Sequence, residues 1–239
     1  MQIAVALTPL NLAPLPLAQR AVVVIDVLRM TSVAITALSH GAVGILPVTD
    51  VEEARRQAHR LPGALLCGER KGLPLPSFAL GNSPLEYTAE RVNGKQIIAT
   101  TTNGTRVLNM AAKARRVLLG AFLNVSAVAR ALAGETDVLL ACAGTRDALS
   151  LEDVLAAGAI IERLQAQDHQ PALDDAALCA LWLYQSARSD LLAALRPTTH
   201  CAYLLGLGQP QYEADVHACL CEDTCQTVPA LRRGWVIHA

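Results

Sequence analysis

Between Thr100 and Arg106 the sequence reads Thr100-Thr101-Thr102-Asn103-Gly104-Thr105-Arg106, a run of hydroxyls and an amide that ends in a guanidinium. Lys95-Gln96-Ile97-Ile98-Ala99 before it reads as a short buried strand, and residues 107–113 after it as a helix. The first amides of a helix are unpaired and carry the positive end of its dipole, while Gly104 allows close backbone approach. Arg106 adds planar donors suited to phosphate, sulfonate or carboxylate. Thr101, Thr102, Asn103 and Gly104 are therefore candidates to cradle an anion. The alternative is a hydroxyl-rich turn with an N-cap.

Asp26 ends the apolar run Ala21-Val22-Val23-Val24-Ile25, with Arg29, Thr31 and Ser32 just beyond. A carboxylate there suits binding Mg²⁺ or attacking phosphorus. It could equally pair with Arg29 and cap the next helix. The Asp-x-Asp signature of aspartyl-phosphate phosphatases fails at Leu28, which favours metal ligand over nucleophile. Glu69-Arg70-Lys71 follows Ala64-Leu65-Leu66-Cys67 and lies between two glycines, either as a solvated charge run or as part of a site. Ser150-Leu151-Glu152-Asp153 reads as well as a capping box, with Asp153 at its third helical position, as it does as metal ligands.

Other motifs point away from known chemistries. Cys142 and Arg146 have the wrong spacing for a cysteine phosphatase, so Cys142 reads as a buried strand-end thiol. There is no phosphate-binding Gly-x4-Gly-Lys motif. His217, Cys219, Cys221 and Cys225 lack the second Cys-x2-Cys pair of a zinc site.

The elements that must position these residues alternate at short intervals. Strand-like runs at 21–25, 44–48, 64–67, 95–99, 116–120 and 137–142 are separated by helical ones at 33–39, 52–60, 107–113, 125–132 and 150–164, with Asn124 as the expected cap of residues 125–132. This pattern predicts a three-layer α/β/α fold with a mostly parallel, mixed sheet. Every polar loop follows the C-terminal end of a strand, the edge where such sheets bind ligands. The irregular stretch 68–84 is long enough to be functional. From about residue 171 the chain turns Ala- and Leu-rich, with few groups suited to chemistry, and reads as a helical completion of one domain spanning 1–239.

Composition narrows the function. Hydrophobic residues make up 52% of the 239, charged residues 17%, and net charge is −1, which disfavours disorder and nucleic-acid binding. No run is long and apolar enough for a membrane span, and the apolar N-terminus lacks the basic start of a signal peptide. Seven cysteines, an odd number in a chain of this length, fit free thiols in a reducing cytoplasm. A homodimer is the base-rate expectation.

With those residues in view, the sequence resembles the 2-phosphosulfolactate phosphatase (ComB) family. The resemblance runs through Val24-Ile25-Asp26-Val27-Leu28-Arg29-Met30-Thr31-Ser32, Gly68-Glu69-Arg70, Leu80-Gly81-Asn82-Ser83-Pro84, residues 100–106, Asn124, Cys142-Ala143-Gly144 and Leu151-Glu152-Asp153-Val154-Leu155. It implies a Mg²⁺-dependent, three-layer phosphatase that converts (2R)-phosphosulfolactate to sulfolactate and phosphate, a step toward coenzyme M. Ser77 and Ala79 stand where Gly-Phe-Asp is common in the family, so one carboxylate near that loop is missing. On this reading Asp26, Arg29, Glu69 and Arg106 carry catalysis, and Asp26 with Glu69 or Asp153 holds Mg²⁺. Thr31, Ser32, Arg70, Asn82, Ser83, Thr101, Thr102, Asn103, Gly104 and Gly144 bind the substrate. The alternatives are a phosphatase of another small phospho-acid and a non-catalytic binder of a phosphorylated metabolite.

Overall fold

The computed structural model describes residues 1–167 and 170–239. In chain order the first half contains β1 (Gln2–Ala6), α1 (Pro9–Leu12), β2 (Ala21–Ile25), α2 (Met30–Ser39), β3 (Gly44–Pro47), α3 (Val51–Arg60), β4 (Leu65–Arg70) and β5 (Leu73–Pro74). There follow α4 (Ala89–Val92), β6 (Gln96–Thr100), α5 (Gly104–Ala111), β7 (Arg116–Gly120), α6 (Val125–Ala131), β8 (Asp137–Cys142) and α7 (Leu151–Gln165). The rest comprises β9 (Ala172–Leu173), α8 (Asp175–Ala187), α9 (Leu191–Leu195), α10 (Thr199–Leu205), α11 (Pro210–Leu220), β10 (Pro229–Arg232) and β11 (Trp235–His238).

The solid apolar runs become central strands because both of their faces are covered. All five residues of β2 are buried, but they divide by parity: Val22 and Val24 pack with α2 and α5, Val23 and Ile25 with α6 and α7. That division of one strand between two cores is what a three-layer α/β/α fold requires.

All the strands lie in a single sheet of order β5-β4-β6-β3-β11-β10-β7-β2-β8-β1-β9. β2 runs parallel to β7 and β8, and β6 parallel to β3 and β4. The antiparallel hairpin β10–β11 is inserted at the centre, joining the two parallel halves. The C-terminal strand β11 is thus half of a hairpin that holds the sheet together. The sheet is mixed and mostly parallel, as the alternation of elements predicts.

Some local expectations change. The stretch expected to be irregular from Gly68 is at first strand, because β4 continues through Arg70 and turns back as β5. Asn124 does not cap α6 with its side chain; it accepts from the Ala121 amide and donates to the Leu119 and Thr227 carbonyls. Its amide group ties the end of β7 to the segment leading into β10.

Candidate active site

A cavity of about 610 Å³ opens where the ends of β2, β4, β6 and β8 meet the start of α10. Its wall includes Asp26, Arg29, Glu69, Asn82, Thr101, Thr102 and Asn103, all expected from the sequence. It also includes Lys71, Arg146, Glu152, His200 and Tyr203, which were not assigned there.

Asp26 caps the turn after β2. Its Oδ1 accepts from the Met30 amide at 3.2 Å, and its Oδ2 lies against Gly104. Burial pushes its pKa up to about 6; the His200 charge and the Met30 amide oppose this, while Glu69 and Glu152 add to it. The charged form is therefore held at a cost that a nearby cation would relieve.

The neighbouring loops are stapled by carboxylates. Glu69 Oε1 accepts from the Thr102 amide and Oε2 from the Gly72 amide, both at 2.7 Å. Asp153 Oδ1 accepts from the Val27 amide at 2.8 Å and Oδ2 from the Gly144 amide at 3.0 Å. Burial raises the Asp153 pKa well above the usual carboxylate range, the charges of Glu152 and Asp26 raise it further, and the two amide bonds oppose them. Each oxygen of both residues accepts a backbone amide, so both position loops; Glu69 also lines the cavity, whereas Asp153 does not. The capping-box reading also gives way: Ser150 caps α7 with no side-chain bond, and its hydroxyl pairs with Thr145.

Glu152 is the carboxylate turned into the cavity. It is 1% exposed; Oε1 bonds His200 Nδ1 at 2.7 Å, and among the described residues Oε2 has no partner. Burial lowers the His200 pKa, but the bond to Glu152 and the charges of Glu152 and Asp26 outweigh it, so the net shift is upward.

At the start of α5, Thr101 Oγ1 accepts from the Thr105 amide, which satisfies one helix-end donor. Among the described residues the amides of Asn103 and Gly104 have no acceptor, so they remain available to an anion. Gly104 does not itself line the cavity; its role is the absence of a side chain beside Asp26.

The other expected residues lie behind this wall. Thr31 and Ser32 are fully buried, their hydroxyls bonded to the Asp26 and Val27 carbonyls, so they shape the turn and do not reach a ligand. Ser83 donates to Asp215, and the Gly144 amide is taken by Asp153. Arg70 bonds the Glu69 and Thr49 carbonyls and Thr100 Oγ1, and Arg106 pairs with Asp147 on the surface. Neither arginine lines the cavity.

Arg29 does, from a buried position. Its terminal nitrogens donate to Asp215 and to the Gly72 carbonyl, and it lies 5.2 Å from the Tyr212 ring centre. The helical region after residue 171, expected to be chemically poor, therefore supplies His200 to the wall and Asp215 to the support of Arg29. The only sequence signal was a polar start to a helix, Pro197-Thr198-Thr199-His200, in an Ala- and Leu-rich segment.

Comparison with known proteins identifies the family. The family described as 2-phosphosulpholactate phosphatase matches residues 8–234. A "Probable 2-phosphosulfolactate phosphatase" of Thermotoga petrophila is 43% identical over 219 residues, covering 92% of each chain. Proteins of the same name from Caldanaerobacter subterraneus and Clostridium acetobutylicum are 43% identical over 223 residues and 37% over 217, covering 92% and 90% of this chain and 91% of each relative. Identity of this order over nearly the whole length of both chains reflects common descent, and the chain belongs to the 2-phosphosulpholactate phosphatase family.

Proposed function

We propose that this chain hydrolyses a small phosphomonoester bearing a second acidic group, with Mg²⁺ as cofactor. 2-Phosphosulfolactate, which the relatives' names carry, is the first substrate to test; cleavage of its (2R) form to sulfolactate and phosphate would be a coenzyme M-type step. The observation that carries the reading is that Asp26 and Glu152, whose buried Oε2 has no hydrogen-bond partner among the described residues, line the same cavity as Thr101, Thr102 and Asn103.

Among the described residues no three His, Cys, Asp or Glu side chains stand close enough to hold an ion unaided. Mg²⁺ does not need such a cage, because it keeps several waters and takes one or two carboxylates together with phosphate oxygens. Asp26 and Glu152 fit that demand. Asp153 does not line the cavity, and Glu69 lines it with an amide on each oxygen, so both rank behind Asp26 and Glu152 as ligands. Bound there, Mg²⁺ would supply charge stabilisation to the phosphoryl oxygens.

The chain's own groups do the rest. Thr101, Thr102, Asn103 and the free Asn103 amide hold the phosphoryl oxygens, and Arg29 offsets their developing charge. Water adds to phosphorus, the bond to the leaving oxygen breaks, and a proton from the water ends on the alcohol product. His200, fixed through Nδ1, offers its other ring nitrogen as a hydrogen-bond partner for the attacking water.

A phosphate-release assay on phosphosulfolactate and a panel of phospho-acids, with MgCl₂ or with EDTA, tests this. Mg²⁺-dependent release that disappears in Asp26→Asn is expected. Binding without release from any panel member would reject the enzyme in favour of a metabolite binder.

A further inference from the structure

We infer that Lys71 and Arg146 form a clamp for the second acidic group of the substrate, a carboxylate or sulfonate, at the mouth of the cavity. The inference rests on the phosphatase reading for the position of the phosphate, at Thr101 to Asn103. It adds the residues that choose among phosphomonoesters.

The first ground is elimination. Arg29 is engaged by Asp215 and the Gly72 carbonyl, Arg70 by two carbonyls and a hydroxyl, and Arg106 by Asp147. Lys71 and Arg146 line the cavity, and among the described residues neither charged group meets a carboxylate or any other acceptor. They are the cations left to meet a ligand anion. A dianionic phosphate and a second acid need more positive charge than Arg29 and two helix amides provide.

The second ground is how they are mounted. Arg70 pairs with Leu73 across the β4–β5 hairpin, so Lys71 and Gly72 are the two central residues of its turn, with φ of 53° and 75°. Thr145 and Ala148 exchange both backbone hydrogen bonds, making Arg146 and Asp147 the centre of a second such turn, with φ of 51° and 65°. Both are two-residue turns of the primed type, whose first position favours Asn, Asp or Gly. Each carries a long cationic side chain there at some backbone cost.

Both turns are also pinned to the site. The Lys71 carbonyl accepts from Tyr203, the Gly72 amide donates to Glu69, and Asp147 pairs with Arg106. A third turn of this kind, Arg233-Gly234, closes the β10–β11 hairpin and does not line the cavity. Turn type alone therefore assigns nothing; turn type together with the cavity wall does.

The turns suggest the variants. Asn accepts left-handed backbone better than Lys or Arg, so Lys71→Asn and Arg146→Asn remove charge while suiting the fold. The measured quantity is kcat/KM on phosphosulfolactate divided by kcat/KM on phenyl phosphate, which has no second acid. Each variant is expected to lower that ratio about five- to tenfold through KM, and the pair more, with melting temperature unchanged or higher. An unchanged ratio in the double variant would overturn the clamp.

Direct binding separates this result from failure of the phosphatase reading. Calorimetric titration with sulfoacetate and with malonate needs no turnover. Saturable binding to the wild type that weakens at least tenfold in the double variant supports the clamp even if no phosphate is released. Equal binding to both proteins, or binding to neither, overturns it.

Discussion

A methyl group on Gly104 would overlap Asp26 Oδ2 and lie 2.6 Å from Met30 Cε, so the α5 start and the β2 end touch with no room between them. The carboxylate beside the unpaired amides of α5 has its place because residue 104 lacks a side chain.

Gly104→Ala is expected to push Asp26 out of position. Alanine normally stabilises a helix by roughly 1 kcal/mol over glycine, which works against the clash. The expected result is a loss of kcat/KM of at least about tenfold with little gain in melting temperature. A more stable variant with full activity would contradict the contact.

Asp26 also sets a pH dependence. Its carboxyl shifts from 3.8 to about 6 on folding, so the folded state binds the extra proton between those values and loses stability as pH rises through them. A cation on ionised Asp26 reverses that loss. MgCl₂ should therefore raise the melting temperature clearly at about pH 7.5 and much less at about pH 5. Glu152→Gln should reduce the rise at the higher pH. Equal rises at both would remove Asp26 from the metal site.

Asp153 is expected to matter for stability more than for the chemistry. Asp153→Ala would leave the buried Val27 and Gly144 amides without acceptors, at about 1–3 kcal/mol each, less the relief of removing a charge from an acidic cluster. Urea unfolding should register a net loss. Unaltered stability would mean that the two loops do not depend on it.

Asp215→Ala would strand the buried Arg29 charge, a change that typically costs about 3–5 kcal/mol. Chemical denaturation should report a loss of that order, accompanied by weaker phosphate release. A variant that keeps its stability would show Arg29 finding another partner.

The sequence alone determined the central strands, because solid β-branched runs such as Ala21-Val22-Val23-Val24-Ile25 have few other ways to be buried. It also determined that Asp26, Glu69, the Thr101 and Thr102 hydroxyls and the Asn103 amide would end at one edge, since parallel strands bring their C-terminal loops together. It could not decide between Glu152 and Asp153. Neighbours on a helix point about 100° apart, and only the packing of α7 turns one carboxylate into the cavity and the other onto two loop amides. The same holds for the arginines: composition offers several, and pairing with Asp215 or Asp147 is a matter of tertiary distance. His200 and Asp215 come from helices whose Ala and Leu content speaks only of packing, so their arrival at the site depends on how α10 and α11 fold back over the sheet edge. Local pattern records which face an element buries; which charge meets which is set by contacts between residues far apart in the chain.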